Sequence, residues 1–223
     1  MSSATGRLSA PLTADGRHPE LVPADWAQRI DPGEWALGPE GLPSRRAGRV
    51  LVITVGGDAL LLTGHDADDP SHSWVFTPGG GIRSGEDSRA AAARELAEET
   101  GIVVDPAGLV GPIAWRDAVF RFSAVLCRQQ EDFFLLLLDE RVLPVRDGWT
   151  DLEREVVDAV DWWTPGQLDA AVGAGTTVYP GAMPGLVRTL SRGWDGRPID
   201  LTEPEDAAFI ARIGAGVPAS PRT

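Results

Sequence analysis

Three glutamates, Glu95, Glu98 and Glu99, stand at i, i+3 and i+4 in the run Arg-Glu-Leu-Ala-Glu-Glu-Thr-Gly-Ile that occupies positions 94–102. On a helix these spacings put all three carboxylates on one face, within a few ångströms of each other. Like charges so placed repel. A hard divalent cation with oxygen ligands offsets that repulsion, and magnesium in particular takes carboxylates together with substrate phosphates. An acidic heptad on its own more often marks only a solvated helix face. Here it follows Pro78-Gly79-Gly80-Gly81 and Glu86 and closes on Gly101-Ile102, and the whole pattern favours a metal site.

The elements around the run must hold those carboxylates in place. Ser84 with Asp87 three residues on carries a capping-box signature, so the helix is expected from Glu86 onward, ending at a left-handed C-cap at Gly101. Ala90, Ala93, Ala97 and Leu96 are expected to form its buried face, small enough for the helix to lie close to a sheet. Upstream, 49–55 reads as an apolar strand, Gly56-Gly57 as a hairpin turn and 59–63 as its partner. The acidic, histidine-containing stretch 64–73 reads as a loop, and 74–77 as a short strand entering the glycine run. Downstream, 103–109 is a turn, and strands are expected at 119–127 and 133–138, separated by a polar turn at 128–132. A short strand at 161–163 and helices at 165–172, 185–192 and 204–213 complete the reading, with one more short helix at 24–30 carrying Trp26. Strands and helices are mixed without regular alternation, which favours a mixed-sheet α/β sandwich over a doubly wound fold.

Gly80, five residues, Glu86, seven residues and then the 94–102 run together resemble the sequence pattern of the bacterial Nudix (MutT-type) hydrolases. The resemblance spans about residues 49–172 and implies an α/β/α sandwich with a mixed β-sheet and a loop-helix-loop box. It implies hydrolysis of a nucleoside diphosphate linked to another group, water attacking a phosphoanhydride, with Mg²⁺ or Mn²⁺ as cofactor. Carried across by residue, it makes Glu98 and Glu99 metal ligands, Glu95 a ligand or the general base, and Arg94 an orienting partner for a carboxylate. Glu86 supports the site or joins the metal, Gly79 is a further ligand, and Gly80 and Gly81 are placed on the substrate; apart from the resemblance, Arg116 is a candidate to reach a substrate phosphate. A further carboxylate from outside the box is expected, with Glu140 first, Glu153 second and Glu155 also open. The implied organisation is an N-terminal extension over 1–45, the hydrolase domain over 46–175 and a helical C-terminal extension over 176–223.

Composition bounds the rest. The 223 residues, 43% of them hydrophobic, suffice for a real core. The single cysteine, Cys127, leaves no internal disulfide framework, and in its apolar surroundings it reads as a small buried hydrophobe. Residues 1–20 lack the apolar stretch of a secretory signal, and the longest apolar run, 133–138, is too short for a bilayer, so a cytoplasmic protein with no membrane partner is expected. A formal charge of −13 argues against gripping a nucleic-acid polymer by its backbone, while a phosphorylated small molecule remains compatible because bound cations invert the local field. All fixed positive charge is arginine, for the chain has no lysine.

Other features carry less. Trp115, Phe120 and Phe122 offer aromatic faces and Arg121 a further cation, but such residues on strands are more often core or surface. His18, His65 and His72 lack metal-ligand spacing. Residues 1–45 are a candidate contact for a homodimer. Two other functions fit the same fold class: a nucleotide sensor that binds without cutting, and an isopentenyl diphosphate isomerase. The intact glutamates and the absence of a basic helix pair weigh against the sensor, and the setting of Cys127 weighs against the isomerase.

Overall fold

A computed structural model of the chain describes residues 10–66, 69–146, 148–149 and 151–214. These fall into two compact units, one from the described parts of 1–45, 117–130 and 202–223, the other from those of 46–116 and 131–201.

The larger unit is built on β2 (Pro43–Thr54) and β3 (Ala59–Asp66), an antiparallel pair joined through the turn at Gly56-Gly57. Their apolar runs are continuous because both faces are covered. Leu51, Ile53, Ala59 and Leu61 pack with Leu168 of α4 (Pro165–Gly173) and with Met183, Leu186, Val187 and Leu190 of α5 (Met183–Leu190). Val50, Val52, Leu60 and Leu62 face the other way, onto Ala92, Ala93 and Leu96 of α2 (Ser88–Thr100). Alternate side chains of one strand thus enter opposite cores, and helices lie on both faces of the sheet, the expected α/β/α sandwich.

The strands follow the order β10 (Ile199–Asp200), β6 (Val110–Phe122), β7 (Val125–Leu138), β2, β3, β4 (Asp69–Phe76), β9 (Thr177–Tyr179). In addition β5 (Gly79–Gly81) pairs with β2, and β8 (Val157–Trp163) with β3. The β10–β6 and β4–β9 pairs are parallel while β2 pairs antiparallel with β3, so the sheet is mixed as expected.

In the smaller unit β1 (Ala36–Leu37) pairs with the first residues of β2, and α1 is Trp26–Arg29. Trp35 is buried among Val22, Ile30, Leu42, Val125 and Cys127, edge-on to Phe120 and stacked on Phe122. Phe209 and Ile213 of α6 (Pro204–Ile213) pack on the same core. Phe120 and Phe122 are therefore core aromatics, and Cys127 is the buried hydrophobe expected of it.

Two expectations are corrected. The described part of 64–73 is strand rather than loop: β3 continues to Asp66 and β4 begins at Asp69, the two pairing antiparallel. The polar turn at 128–132 is the middle of β7, and the real turn lies at Ser123-Ala124, whose φ values of 47° and 60° are those of a two-residue hairpin. No Gly or Asn marks that turn, so the polar residues downstream looked like the break instead. Gln129 and Glu131 alternate inward along β7 and are buried, satisfied by hydrogen bonds to Arg45 and Arg49 respectively.

Candidate active site

The box helix α2 starts at Ser88, two residues later than expected. Asp87 is the N-cap, accepting from the Ala90 N–H at 2.8 Å, and Glu86 lies in the preceding loop. Gly101, with φ 74°, closes the helix as expected. The buried stripe is also shifted: Ala91, Ala92, Ala93 and Leu96 are buried, whereas Ala90 and Ala97 are only half-buried. This rotation lays the helix on Gly48 of β2, where a Cβ would stand 1.9 Å from the Ser88 carbonyl oxygen. It also turns Glu99 inward, leaving it 5% exposed.

The glycine run lies beside the same strand, with Gly81, Gly80 and Gly79 opposite Ala47, Gly48 and Arg49. The Gly79 N–H donates to Glu99 Oε2 at 2.7 Å, which fixes one end of the run to the helix. Glu99 is held from behind as well, because the Trp149 indole N–H donates to its main-chain carbonyl at 2.7 Å.

Arg94 joins the remaining carboxylates. Its Nε and Nη2 donate to the two oxygens of Glu86 at 2.9 and 3.0 Å, and Nη2 also reaches the Gly81 carbonyl at 2.9 Å. Its Nη1 donates to Glu95 at 2.7 Å and Glu98 at 3.0 Å. These five contacts match the five N–H donors of a guanidinium. Burial disfavours the charge on Arg94, but the bonds to Glu86 and Glu95 outweigh it and push its pKa up. The same bond holds the Glu86 carboxyl below the usual range. Arg83, well exposed, grips Glu98 with both terminal nitrogens, at 3.2 and 3.3 Å.

A second charged chain lies behind the glycines. Arg49 donates from Nε to Glu131 at 2.6 Å and from Nη1 to the carbonyls of Thr77 and Gly79 at 3.1 and 2.9 Å. Burial opposes the charge of Arg49, and Glu131, followed by Glu99 and Glu95, raises its pKa. Arg116 reaches the other oxygen of Glu131 at 3.3 Å and lies under the ring of Tyr179, 5.2 Å from its centre.

The structure therefore brings together Glu86, Arg94, Glu95, Glu98, Glu99, Gly79, Gly80 and Gly81, and links Arg116 to them through Glu131 and Arg49. It does not bring in Glu140. That residue is exposed beyond the end of β7, where the Leu138 carbonyl meets the Val55 N–H. Six steps of extended chain, about 20 Å, separate Val55 from Arg49, the nearest residue that pairs with the glycines. Glu155 is exposed on α3 (Asp151–Val156), and the side chains of Glu153 and His72 lie outside the described residues. Glu131 was missed because it sits in a polar run; its signal is inward placement on a strand, visible only once the turn at Ser123-Ala124 is known.

Among the described residues no three His, Cys, Asp or Glu side chains form a ready-made metal cage. The donor set nonetheless fits a hard cation. Carboxylate oxygens of Glu95 and Glu98, from successive turns, converge on the single Nη1 of Arg94, which places them within bridging distance of each other. A separate cavity of about 410 Å³, lined by residues including Arg141, Leu143, Arg146 and Trp162, contains none of these carboxylates.

Residues 44–180 match the family model of the NUDIX domain, well over half of the chain, and the chain belongs to that family. An RNA pyrophosphohydrolase of Dinoroseobacter shibae is 44% identical over 64 residues, 29% of this chain and 38% of that protein. Another, of Sphingopyxis alaskensis, is 36% identical over 101 residues, 45% of this chain and 52% of that protein. The chain thus spans between about two fifths and half of the length of these curated relatives. Among solved structures, a MutT protein from Methanosarcina mazei superposes with a TM-score of 0.44 at 17% identity, covering 68% of this chain and 95% of that one. No helix of the described residues is long and apolar enough to cross a membrane.

Proposed function

We propose that this chain is a pyrophosphohydrolase that cleaves a phosphoanhydride in a nucleoside diphosphate linked to another group, using Mg²⁺ or Mn²⁺. The observation that carries the reading is the convergence of Glu86, Glu95 and Glu98 on Arg94, beside a glycine strand to which Glu99 is locked. Glu98 and Glu99 would hold the cation, with Glu86 in support, the Gly79 carbonyl as a further ligand and Glu95 beside them as a ligand or as the general base. When bound, the cation neutralises phosphate oxygens and lowers the pKa of water.

The side chains do the positioning. We assign the proton released by the attacking water to Glu95, whose carboxylate Arg94 orients. At Gly80 a Cβ would fall 2.5 Å from that carboxylate, so only glycine leaves the approach to Glu95 open. Arg49 holds the carbonyls on either side of Pro78 and so fixes the course of the glycine run. Arg116 supplies positive charge farther from the box, on the substrate side.

A substrate panel tests the reading. ADP-ribose, a dinucleoside polyphosphate, coenzyme A, an oxidised nucleoside triphosphate and a 5′-triphosphorylated RNA are incubated with Mg²⁺ or Mn²⁺, and released phosphate or nucleotide is measured. The RNA arm is included because the curated relatives are RNA pyrophosphohydrolases. Cleavage of at least one member is expected, with turnover falling by roughly 10²–10⁴-fold in Glu95→Gln. Tight binding of one member with no cleavage of any would mean a sensor instead.

A further inference from the structure

Tyr179, the only tyrosine of the chain, ends β9 and is 37% exposed as a residue. An aromatic ring open to solvent at a strand end is usually free to turn, but this one is backed. The Arg116 guanidinium lies 5.2 Å from the ring centre, and its side chain is only 10% exposed. Arg116 is in turn bound to the buried Glu131, which Arg49 grips at 2.6 Å, and Arg49 reaches the Gly79 carbonyl at 2.9 Å. One continuous line of charged contacts therefore joins the tyrosine to the glycine run of the box. A desolvated cation against one face of a ring fixes its plane and leaves the other face for a ligand.

Strand pairing sets the distance. Tyr179 stands opposite Phe76 in the parallel β4–β9 pair, and Gly79 comes three residues after Phe76. Three residues span at most about 10 Å, less here because the chain bends at Pro78, and the step between neighbouring strands adds about 5 Å, a separation of the order of a ribosyl diphosphate.

We propose that Tyr179 is a specificity-determining residue: a stacking ledge for the planar base of the substrate, set one ribosyl diphosphate away from the box. The assignment rests on the proposed hydrolase function and deepens it, since it requires that the group leaving or staying on the Tyr179 side carry a flat aromatic ring. Arg116 then serves twice, orienting the ring and meeting the charge of the nearer phosphate.

Calorimetric titration of the full chain in Mg²⁺ with adenosine diphosphate and, separately, with inorganic pyrophosphate tests the ledge. Tyr179→Leu keeps apolar bulk over Arg116 but removes the aromatic face; it should weaken adenosine diphosphate about tenfold or more and leave pyrophosphate unchanged. Tyr179→Phe should bind both as the wild type does. Wild-type affinity for adenosine diphosphate in Tyr179→Leu overturns the proposal, and so does an equal loss for both probes, which would mark a structural role. If the wild type cleaves the substrate panel while Tyr179→Leu keeps its adenosine diphosphate affinity, the ledge fails and the hydrolase stands. If the wild type binds neither probe and cleaves nothing, both fail.

Discussion

Arg94 spends every donor it has on three glutamates and one carbonyl, so its geometry matters as much as its charge. A lysine at 94 keeps the charge but has three rotatable donors on one nitrogen and no planar fork. Arg94→Lys should lower Mn²⁺ affinity or turnover by roughly 10–100-fold, read by calorimetry and by steady-state rates, with little change in circular dichroism. Glu98 is the most exposed of the three box glutamates named as ligands, and Glu98→Gln should lower turnover by orders of magnitude in an intact fold, as the same two measurements will show. Cys127 makes a different point. Burial pushes its thiol up to about 12, so it should resist a disulfide reagent at pH 8 and react at once in urea. An unfolded thiol ionises near 8.5, and the raised folded value means that this contribution to stability is intact below that pH and declines as pH rises from about 8.5 towards 12. The box glutamates and Arg94 were legible as residues because their spacing is local. Glu131 was not, because nothing in Arg-Gln-Gln-Glu-Asp distinguishes an inward-facing carboxylate from a surface turn.

At the scale of elements, the contact that places the box is the helix lying on Gly48. A Cβ there would meet backbone atoms, the Ser88 carbonyl oxygen at 1.9 Å and the Ala92 nitrogen at 2.9 Å, and backbone does not move aside as a flexible side chain does. Gly48→Ala should therefore destabilise the chain by about 1–3 kcal/mol or more, seen as a lower melting temperature, and should reduce activity further by displacing Glu95 and Glu99. The sequence reading anticipated small residues on the helix but not the glycine beneath it; of its expected buried face Ala93 and Leu96 are buried, while Ala90 and Ala97 are only half-buried and Ala91 and Ala92 take their place. Alanine runs are the reason. With so many alanines in succession, the pattern does not say which edge faces the sheet, and the choice falls to the partner strand.

The whole molecule carries a formal charge of −13, and its proposed substrate is also an anion. Their mutual repulsion is long-ranged and weakens as salt shortens the screening length. At saturating Mg²⁺, raising KCl from about 20 to about 200 mM should therefore lower KM for a small diphosphate substrate, or leave it flat. Binding to a polymer through arginine–phosphate contacts would weaken steeply over the same range. Measuring both on the small substrates and the 5′-triphosphorylated RNA separates the two modes. The mixed sheet, the flanking helices and the box were readable from sequence because each depends on periodicity within about ten residues: i, i+3, i+4 for the glutamates and alternation for β2 and β3. Tertiary structure alone decided the rest. Arg49 and Glu131 are 82 positions apart, and Arg116 and Tyr179 are 63 positions apart, both far beyond the reach of any local pattern. Only the pairing of β2, β6, β7 and β9 within one sheet brings those side chains to the box, because hydrogen-bond register between distant strands, unlike helix periodicity, is written into neither partner by itself.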